Sequence, residues 1–475
     1  MIPERPILPG CYPDPSVCRV GDDYYLVTST FEYFPGLPVF HSTDLESWTQ
    51  VGHAVDRLDQ LDLSTVASSG GLYAPTIRHH AGTFYLTCTL VGGDGPTGNF
   101  VMTATDAAGP WSGPTWLEGD GFDPSLFFDD DRAWFVGTRP CAKPEWHDQA
   151  EVWLREFDPE ALALVGEETA LWTGAVRGAV WAEGPHLYRV GDWYYLLASE
   201  GGTEEHHAVS VARSRSVEGP YEGSRSNPVF THRALGFGHP ITGVGHPDLV
   251  DGPDGRWWAF LLASRPLGDY RALLGRETFA VAVDWEDDWP VFAPGVGQLA
   301  EVDGLRRLAG TVTISDPWTQ VRTGRSAGFT EADTVTVRPG PGLGDGGTPA
   351  FLGRRQQHHR FTFGADLPEG AGIALRQSEA AHVLFSSAGL VTVRDAASVR
   401  VADVGPATRL EVRADGLDYA FFADDRHIAT VDCSFLSTRS AYAAGAPSFL
   451  GVWIGIFSES AEDITATTVR YAARD

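Results

Sequence analysis

Four titratable residues of the chain stand beside prolines in nearly the same local setting. Asp14, Asp123 and His246 each directly precede a proline. Glu183 is separated from Pro185 by a single glycine. Each is followed by a short apolar run, which suggests equivalent positions of a structural repeat. Carboxylates and a histidine gathered in one pocket are typical of general acid–base catalysis.

The rest of the sequence narrows the reaction that these groups could catalyse. It has no serine or cysteine nucleophile motif and no metal-ligand spacing, and its only lysine, Lys143, lies outside any P-loop pattern. Hydrolysis of a glycosidic bond needs one acid that protonates the leaving oxygen and one carboxylate that acts on water or on the anomeric carbon. Phe31 and Tyr73 would offer a sugar an apolar face, although ordinary core packing explains them equally well.

A fivefold repeat supplies the elements that would bring these residues together. Five segments share a proline, a short apolar strand, a Gly/Asp turn and an aromatic-rich strand. Their prolines are Pro15, Pro75, Pro124, Pro185 and Pro247. This period and the hairpin signals predict the five blades of a β-propeller. A single Asp-Pro pair is most simply a turn, but the in-phase set predicts convergence at one end of the channel. The five pre-proline residues are Asp14, Ala74, Asp123, Gly184 and His246.

A different pattern follows the repeats. The blade signals stop near Pro294, and residues 338–351 are rich in glycine and proline, as in a loop or linker. Later runs such as HRFTFGADL and TRLEVRADG alternate apolar and polar residues, which predicts strands with one buried face. We therefore expect an all-β protein, with a five-bladed β-propeller catalytic domain at 1–300 and a β-sandwich accessory domain at 301–475.

Composition and charge argue against several kinds of partner. A formal charge of −28 disfavours nucleic acid, whose binding depends on clustered cations. No apolar run is long enough to cross a membrane, and the N-terminus lacks a leader pattern, so a cytoplasmic protein is expected. The five cysteines are scattered, which favours reduced thiols over disulfides or a zinc site. A homo-oligomer is expected only because soluble enzymes commonly form one.

Longer strings of the sequence resemble a known family. They include GCYPDPSVCRVGDDYYLVTSTF, GLYAPTIRHHAGTFY, DPSLFFDDD, AEGPHLYRVGDWYYLLASEGGT and LLGRETF. These strings are similar to glycoside hydrolase family 43, in particular its β-xylosidase branch, from the N-terminus to about residue 300. FLGRRQQHHRF and FLGVWIGIF continue the likeness into the β-sandwich domain that this branch appends.

The resemblance implies a role for each candidate residue. Asp14 would be the general base that activates water, Glu183 the general acid, and Asp123 the carboxylate that orients Glu183 and raises its pKa. Members of this family invert the anomeric configuration, which requires room for water between base and acid. Arg276, in LLGRETF, matches an arginine that reaches the sugar hydroxyls, although a purely structural ion pair is the alternative for it.

The resemblance extends to His246 and His207, while the chain departs from the family at Tyr73 and in the surroundings of Phe449. His246 matches an axial histidine that in some members lies beside a calcium ion, so a structural Ca²⁺ and an ion-free, hydrogen-bonded histidine both stay open, and no other cofactor is expected. The resemblance implies only a pocket-shaping role for His207. Tyr73 stands where the branch usually has tryptophan, and Phe449 aligns with a phenylalanine that closes the pocket from the sandwich.

Together the residues and the resemblance predict an enzyme that acts on small oligosaccharides. The leading hypothesis is an inverting exo-β-xylosidase that releases xylose from the non-reducing ends of β-1,4-xylooligosaccharides, with some α-L-arabinofuranosidase activity. A predominantly α-L-arabinofuranosidase enzyme is one alternative, and a non-catalytic sugar-binding propeller is another. A retaining fructosidase is disfavoured because its WMNDPNG-type motif is absent.

Overall fold

The structure, a computed structural model, is built almost entirely from antiparallel strands. It describes residues 2–3, 5–301, 307–308, 310–395, 397–443, 445 and 448–474. The described helices are a short α-helix, Thr438–Ala443, and a 3-10 turn, Ser434–Leu436. The prediction of an all-β fold, a five-bladed propeller followed by a β-sandwich, is confirmed. No helix in the described part of the chain is long and apolar enough to span a bilayer.

Each blade is an antiparallel sheet whose first strand lies on the propeller axis, because the first strands of neighbouring blades contact one another. Listed outward from the axis, the strands are Ser16–Val20, Asp23–Val27, Gly36–Ser42 and Ser47–Val55 in blade I; Gly71–His80, Thr83–Val91, Gly98–Ala104 and Thr115–Trp116 in blade II; Phe122–Asp129, Arg132–Pro140, Ala150–Asp158 and Ala163–Trp172 in blade III; Glu183–Val190, Trp193–Glu200, Ala208–Ser214 and Glu222–Gly223, with Phe230–Thr231 on the third strand, in blade IV; and Thr242–Asp251, Trp257–Ser264, Glu277–Glu286 and Trp289–Phe292 in blade V.

The pre-proline positions share an unusual backbone conformation. All five have a positive φ, between 39° at Ala74 and 58° at Gly184. In blades II to V the pairing with the second strand shifts register at this point, as in a β-bulge. A left-handed residue costs about 1–3 kcal/mol when it carries a side chain, so this conformation is retained at a cost to stability. The repeat read from the sequence is therefore a repeat of backbone geometry.

The C-terminal part is a β-sandwich of two large sheets. In one sheet the strands run Ala397–Asp403, Leu390–Asp395, Ala381–Ser386, Ala371–Arg376, Trp453–Ser458, Phe351–Arg355, Trp318–Val321 and Tyr33–Phe34. In the other they run Gly328–Glu331, Thr334–Val337, Ile464–Ala473, Arg360–Asp366, Arg409–Asp415, Asp418–Ala423 and Arg426–Asp432. Phe361, Phe363 and Ala365 point from one strand into the space between the sheets and are fully buried there.

The propeller and the sandwich are interlocked by short strands. Tyr33–Phe34, from the first blade segment, pairs with Trp318–Val321 at the edge of a sandwich sheet. The ring of Tyr33 stacks on that of Trp453 at 3.9 Å. In the opposite direction, Thr311–Thr313 adds a parallel strand to the outside of blade I, and Ala300–Glu301 pairs with Ile2–Pro3. The division at residue 300 stays a prediction.

Candidate active site

A cavity of about 530 Å³ opens on the propeller axis where the pre-proline residues converge. It is lined by side chains from the first strands of the blades, from loops between them, and from the sandwich. Eight of the residues predicted from the sequence line this cavity: Asp14, Phe31, Tyr73, Asp123, Glu183, His246, Arg276 and Phe449. His207 lies next to it and is almost fully buried.

Asp14 is held as an ionised carboxylate by three neighbours. Oδ2 accepts a hydrogen bond from Ser29 Oγ at 2.6 Å, and Oδ1 accepts one from Arg276 Nη1 at 3.1 Å. Nδ1 of His246 is 3.4 Å from the same Oδ1. Burial alone would raise the pKa of Asp14, but the positive charge of Arg276 and the contact with His246 hold it well below its usual range.

Asp123 and Glu183 face the opposite electrostatic situation. Burial, opposed by His246 and reinforced by the negative charge of Asp14, raises the pKa of Asp123 to about 6. Burial, followed by the nearby charge of Asp123, raises the pKa of Glu183 to about 8. Oδ2 of Asp123 accepts a hydrogen bond from the backbone N–H of Gly184 at 3.0 Å, which ties it to the strand that carries Glu183. Near neutral pH, one pocket therefore holds a carboxylate at Asp14 and a carboxylic acid at Glu183.

Two histidines flank these groups in different charge states. Burial would lower the pKa of His246, but the hydrogen bond to Asp14 and the surrounding carboxylates raise it to about 9. The backbone N–H of His246 donates to Ser199 Oγ at 2.6 Å, which fixes its position. Burial and the charge of His246 lower the pKa of His207 to about 3. His207 Nε2 is 3.9 Å from Oε1 of Glu183, so a neutral ring borders the carboxylic acid.

Arg276 both pairs with Asp14 and faces the cavity. Its Nη1 also donates to Thr203 Oγ1 at 2.8 Å. Its guanidinium carbon lies 5.7 Å from the ring centre of Phe31 and 5.4 Å from that of Phe449. The ion pair considered for this residue from sequence is present, and it leaves the buried Nε without a partner among the described residues.

Three aromatic rings form one wall of the cavity. Phe31 and Phe449 stack with ring centres 5.7 Å apart, and Tyr73 meets both edge-on at 5.1 and 5.6 Å. The hydroxyl of Tyr73 donates to the backbone carbonyl of Ser69. Because Phe449 comes from the sandwich and the other two from the propeller, this wall spans both parts of the molecule. Flat apolar rings beside an arginine suit a sugar, which has an apolar face and a polar edge.

The axis below the cavity is filled with hydrogen-bond donors. Arg78 donates to both oxygens of Asp248, at 2.8 and 3.1 Å, and also to Nδ1 of His186 at 3.1 Å. Ser16 Oγ and Tyr188 Oη also donate to Asp248. No group of three or more His, Cys, Asp or Glu side chains could hold a metal in the part of the chain that the structure describes. Calcium prefers free oxygen ligands, so the axial residues do not fit a calcium ion bound directly by side chains.

Several residues on or beside the cavity were not predicted from the sequence. Trp181 and Tyr442 line it, from a loop and from the sandwich helix, and neither belongs to a repeating pattern. Ser29 and Ser199 do repeat, since a serine or threonine ends the aromatic strand of the blades. Ser29 Oγ accepts from the N–H of Ala74, as Ser199 does from His246, so each ties its blade to the next. This recurring serine or threonine could therefore have been used to predict both residues from the sequence.

Comparison with known proteins agrees with this geometry. Residues 3–290 match the model of glycosyl hydrolases family 43, and residues 318–472 match a beta xylosidase C-terminal Concanavalin A-like domain. A xylosidase/arabinosidase of Butyrivibrio fibrisolvens is 38% identical over 97% of this chain and 96% of its own length. A non-reducing end alpha-L-arabinofuranosidase of Bacteroides ovatus is 36% identical over 96% of this chain and 90% of its own.

The fold is also similar to that of solved structures. The crystal structure of a xylan beta-1,4-xylosidase from Bacillus halodurans superposes with a TM-score of 0.88 at 29% identity, covering 99% of both chains. The superposition thus covers both the propeller and the sandwich. The chain belongs to glycosyl hydrolases family 43 and is a glycoside hydrolase.

Proposed function

We propose that this enzyme is an inverting exo-β-xylosidase that releases xylose from the non-reducing ends of β-1,4-xylooligosaccharides during xylan degradation, with some α-L-arabinofuranosidase activity. One observation carries the proposal: the same cavity keeps Asp14 ionised and Glu183 protonated around neutral pH. Two carboxyl groups whose pKa values are pushed apart are what acid–base cleavage of a glycosidic bond requires. The relatives named for xyloside and arabinoside cleavage support the substrate class.

In this mechanism Glu183 gives its proton to the glycosidic oxygen as the bond from that oxygen to the anomeric carbon breaks. Asp14 takes a proton from a water molecule, whose oxygen forms the new bond to the anomeric carbon from the opposite face. The leaving sugar departs with the proton of Glu183, and exchange with solvent returns both carboxyl groups to their starting states. Burial, with the negative charge of Asp123 beside it, keeps the pKa of Glu183 high enough for this group to stay protonated.

The shape of the cavity supports action at chain ends. The donor-rich layer of Arg78, His186 and Asp248 closes the axis beneath the carboxyl groups, so a chain cannot pass through the propeller. The wall of Phe31, Tyr73 and Phe449 limits the other side. A pocket that is closed below accommodates a terminal sugar more readily than the middle of a polymer.

A proton NMR time course of xylobiose cleavage tests both the substrate and the stereochemistry. Early appearance of α-xylose, before mutarotation, is the expected result, because inversion of a β-xyloside gives the α-anomer. Early β-xylose would mean that the roles of the carboxyl groups are wrong. Absence of cleavage would move the proposal to arabinofuranosides or to a sugar-binding protein.

Predominant α-L-arabinofuranosidase activity is the second candidate, and Tyr73 favours it. The hydroxyl of Tyr73 donates a hydrogen bond to the backbone carbonyl of Ser69. Because the β-xylosidase branch usually has tryptophan at this position, the wall presents a smaller ring here. The Bacteroides ovatus relative also bears the name of an arabinofuranosidase. The ratio of kcat/KM for the two aryl glycosides, β-D-xylopyranoside and α-L-arabinofuranoside, decides between the candidates.

A further inference from the structure

A buried ionic cluster joins the sandwich to the propeller directly behind the aromatic wall. Glu32, the residue after Phe31, and Arg376, on a sandwich strand, both have completely buried side chains and lie 3.3 Å apart. Nη2 of Arg376 is also 3.0 Å from Oε1 of Glu379, and Arg322 reaches that same oxygen at 2.6 Å. We call these four residues, Glu32, Arg322, Arg376 and Glu379, the interdomain cluster.

The interdomain cluster is connected to Tyr73 and Phe449 through Ser69. The second carboxylate oxygen of Glu32 accepts the backbone N–H of Ser69 at 2.9 Å. Ser69 in turn accepts the hydroxyl of Tyr73 on its carbonyl and the backbone N–H of Phe449 on Oγ, the latter at 3.1 Å. Its φ of 64° is left-handed, a conformation that the surrounding contacts must hold in place. Ser69 thus accepts a hydrogen bond from one wall residue of the propeller, Tyr73, and from one of the sandwich, Phe449.

Arg376 extends the connection to the start of the wall. Its Nη1 donates to Tyr33 Oη at 2.7 Å as well as approaching Glu32. The chain segment from Phe31 to Tyr33 is therefore held from the sandwich side, and the backbone N–H of Arg322 donates to the carbonyl of Glu32 at 2.7 Å. Taking two charges out of water is costly, and a hydrophobic pair would often be as stable, so stability alone does not account for the cluster.

We infer that Arg376 and Glu32 are positioning residues that set the geometry of the sugar-binding wall through Ser69. The buried charges hold the sandwich in one position relative to the propeller. Ser69, which hydrogen-bonds to Glu32, Tyr73 and Phe449, then holds Tyr73 and Phe449 in their places in the wall. Neither Arg376 nor Glu32 touches the cavity. Their loss should therefore weaken sugar binding while leaving the acid and base untouched. The inference deepens the proposed function by assigning the sandwich a part in substrate affinity, and it rests on the proposed function only for the identity of the sugar.

The test compares Arg376→Met with Phe363→Leu, a change in the sandwich core, which is a different hydrophobic cluster from the one that holds Phe31, Tyr73 and Phe449, that also lowers stability. We expect Arg376→Met to raise KM for an aryl β-xyloside about tenfold while kcat changes less than about threefold, because misplaced binding groups cost affinity. The pH profile of kcat should not move. A Phe363→Leu variant of matched melting temperature should keep the wild-type KM. An equal rise in KM in both variants would show general loosening and overturn the inference.

Two additions keep the outcome decisive. If Arg376→Met does not fold, Arg376→Lys retains the charge without the planar fork that bridges Glu32, Tyr33 and Glu379, and KM should still rise. Calorimetry on the same variants gives the dissociation constant for xylose. This constant reports how well the wall binds sugar, and it does not depend on catalytic turnover. Should the wild type bind xylose but not cleave xylosides, the proposed function fails, while an unchanged dissociation constant in the Arg376 variant would reject the inference alone.

Discussion

Arg276 donates from Nη1 to Oδ1 of Asp14 across 3.1 Å, and both side chains are more than nine-tenths buried. The guanidinium is a main reason that the pKa of Asp14 lies below its usual range, since burial opposes it. Arg276→Met should therefore raise the pKa of Asp14. As the pH is lowered, the variant should then protonate its base and lose activity at a higher pH than the wild type. Removal of this cavity-lining guanidinium should also lower kcat/KM about 100-fold.

The measurement is the acid limb of kcat/KM against pH. Arg132→Met, which breaks an exposed ion pair with Glu156, serves as the control and should leave the profile unchanged. An Arg276 variant whose acid limb stays in the wild-type position would remove Asp14 from the role of base.

Substitution of Asp123 should move the alkaline limb of the pH profile. Burial raises the pKa of Glu183 first, and the charge of Asp123 adds to it, to about 8. The acid is active only while protonated, so wild-type activity should fall as pH rises through about 8. Asp123→Asn removes a like charge, which lowers the pKa of Glu183 and moves this fall to lower pH. A pH–rate profile of both proteins measures the shift, and an alkaline limb that stays in place would show that Asp123 does not act on the proton donor.

The roles of Glu183 and Asp14 can be separated by leaving-group quality. General acid catalysis contributes roughly 10²–10⁴-fold, but a good leaving group needs little protonation. Glu183→Gln should therefore lose most of its activity on xylobiose and far less on a dinitrophenyl β-xyloside. Asp14→Asn should lose activity on both alike, because water must be activated in either case. Equal losses for Glu183→Gln on the two substrates would contradict its assignment as acid.

Activity should not depend on a divalent cation. Arg78 already neutralises Asp248 on the axis, and its donation to His186 Nδ1 leaves the proton of that neutral ring on Nε2. These groups present donors where a calcium ion would need oxygen ligands. Dialysis against a chelator should leave both kcat and the melting temperature unchanged. A loss that added Ca²⁺ restores would mean that a hydrated ion occupies the axis.

The sequence revealed the part of the site that repeats. Asp14, Asp123 and His246 could be found because a left-handed residue before a proline recurs at the axial end of each blade, which leaves an in-phase pattern. Phe449 and Tyr442 carry no such signal, since they reach the cavity from the sandwich through tertiary packing. The resemblance to a family identified Phe449, and nothing identified Tyr442.

The interlocking of the two parts was also outside the reach of sequence patterns. Tyr33–Phe34 is only two residues long, too short for a period to show, yet it pairs with Trp318–Val321 in the sandwich. Glu32 and Arg376 are 344 positions apart, and a buried charge looks like any other charge in a sequence. Features that depend on distant partners had to come from the structure.

Gly184 stands where three of the other four blades carry Asp14, Asp123 and His246, and the axis has no room for a side chain there. A Cβ at Gly184 would lie 2.7 Å from Cδ2 and 2.8 Å from Nε2 of His246, whose ring is held by Asp14. Gly191 offers a matched control, because its φ of 60° is nearly that of Gly184, at 58°, and a Cβ there meets nothing within 4 Å.

Both alanine variants should lose about 1–2 kcal/mol from left-handed backbone strain. Gly184→Ala should in addition push His246 away from Asp14 and lower kcat/KM about 100-fold, whereas Gly191→Ala should keep wild-type kinetics. Thermal unfolding measures the shared strain, and steady-state kinetics measure the difference. Because the backbone cost is common to the two, equal kinetics would mean that the contact of His246 with Asp14 is not needed for catalysis.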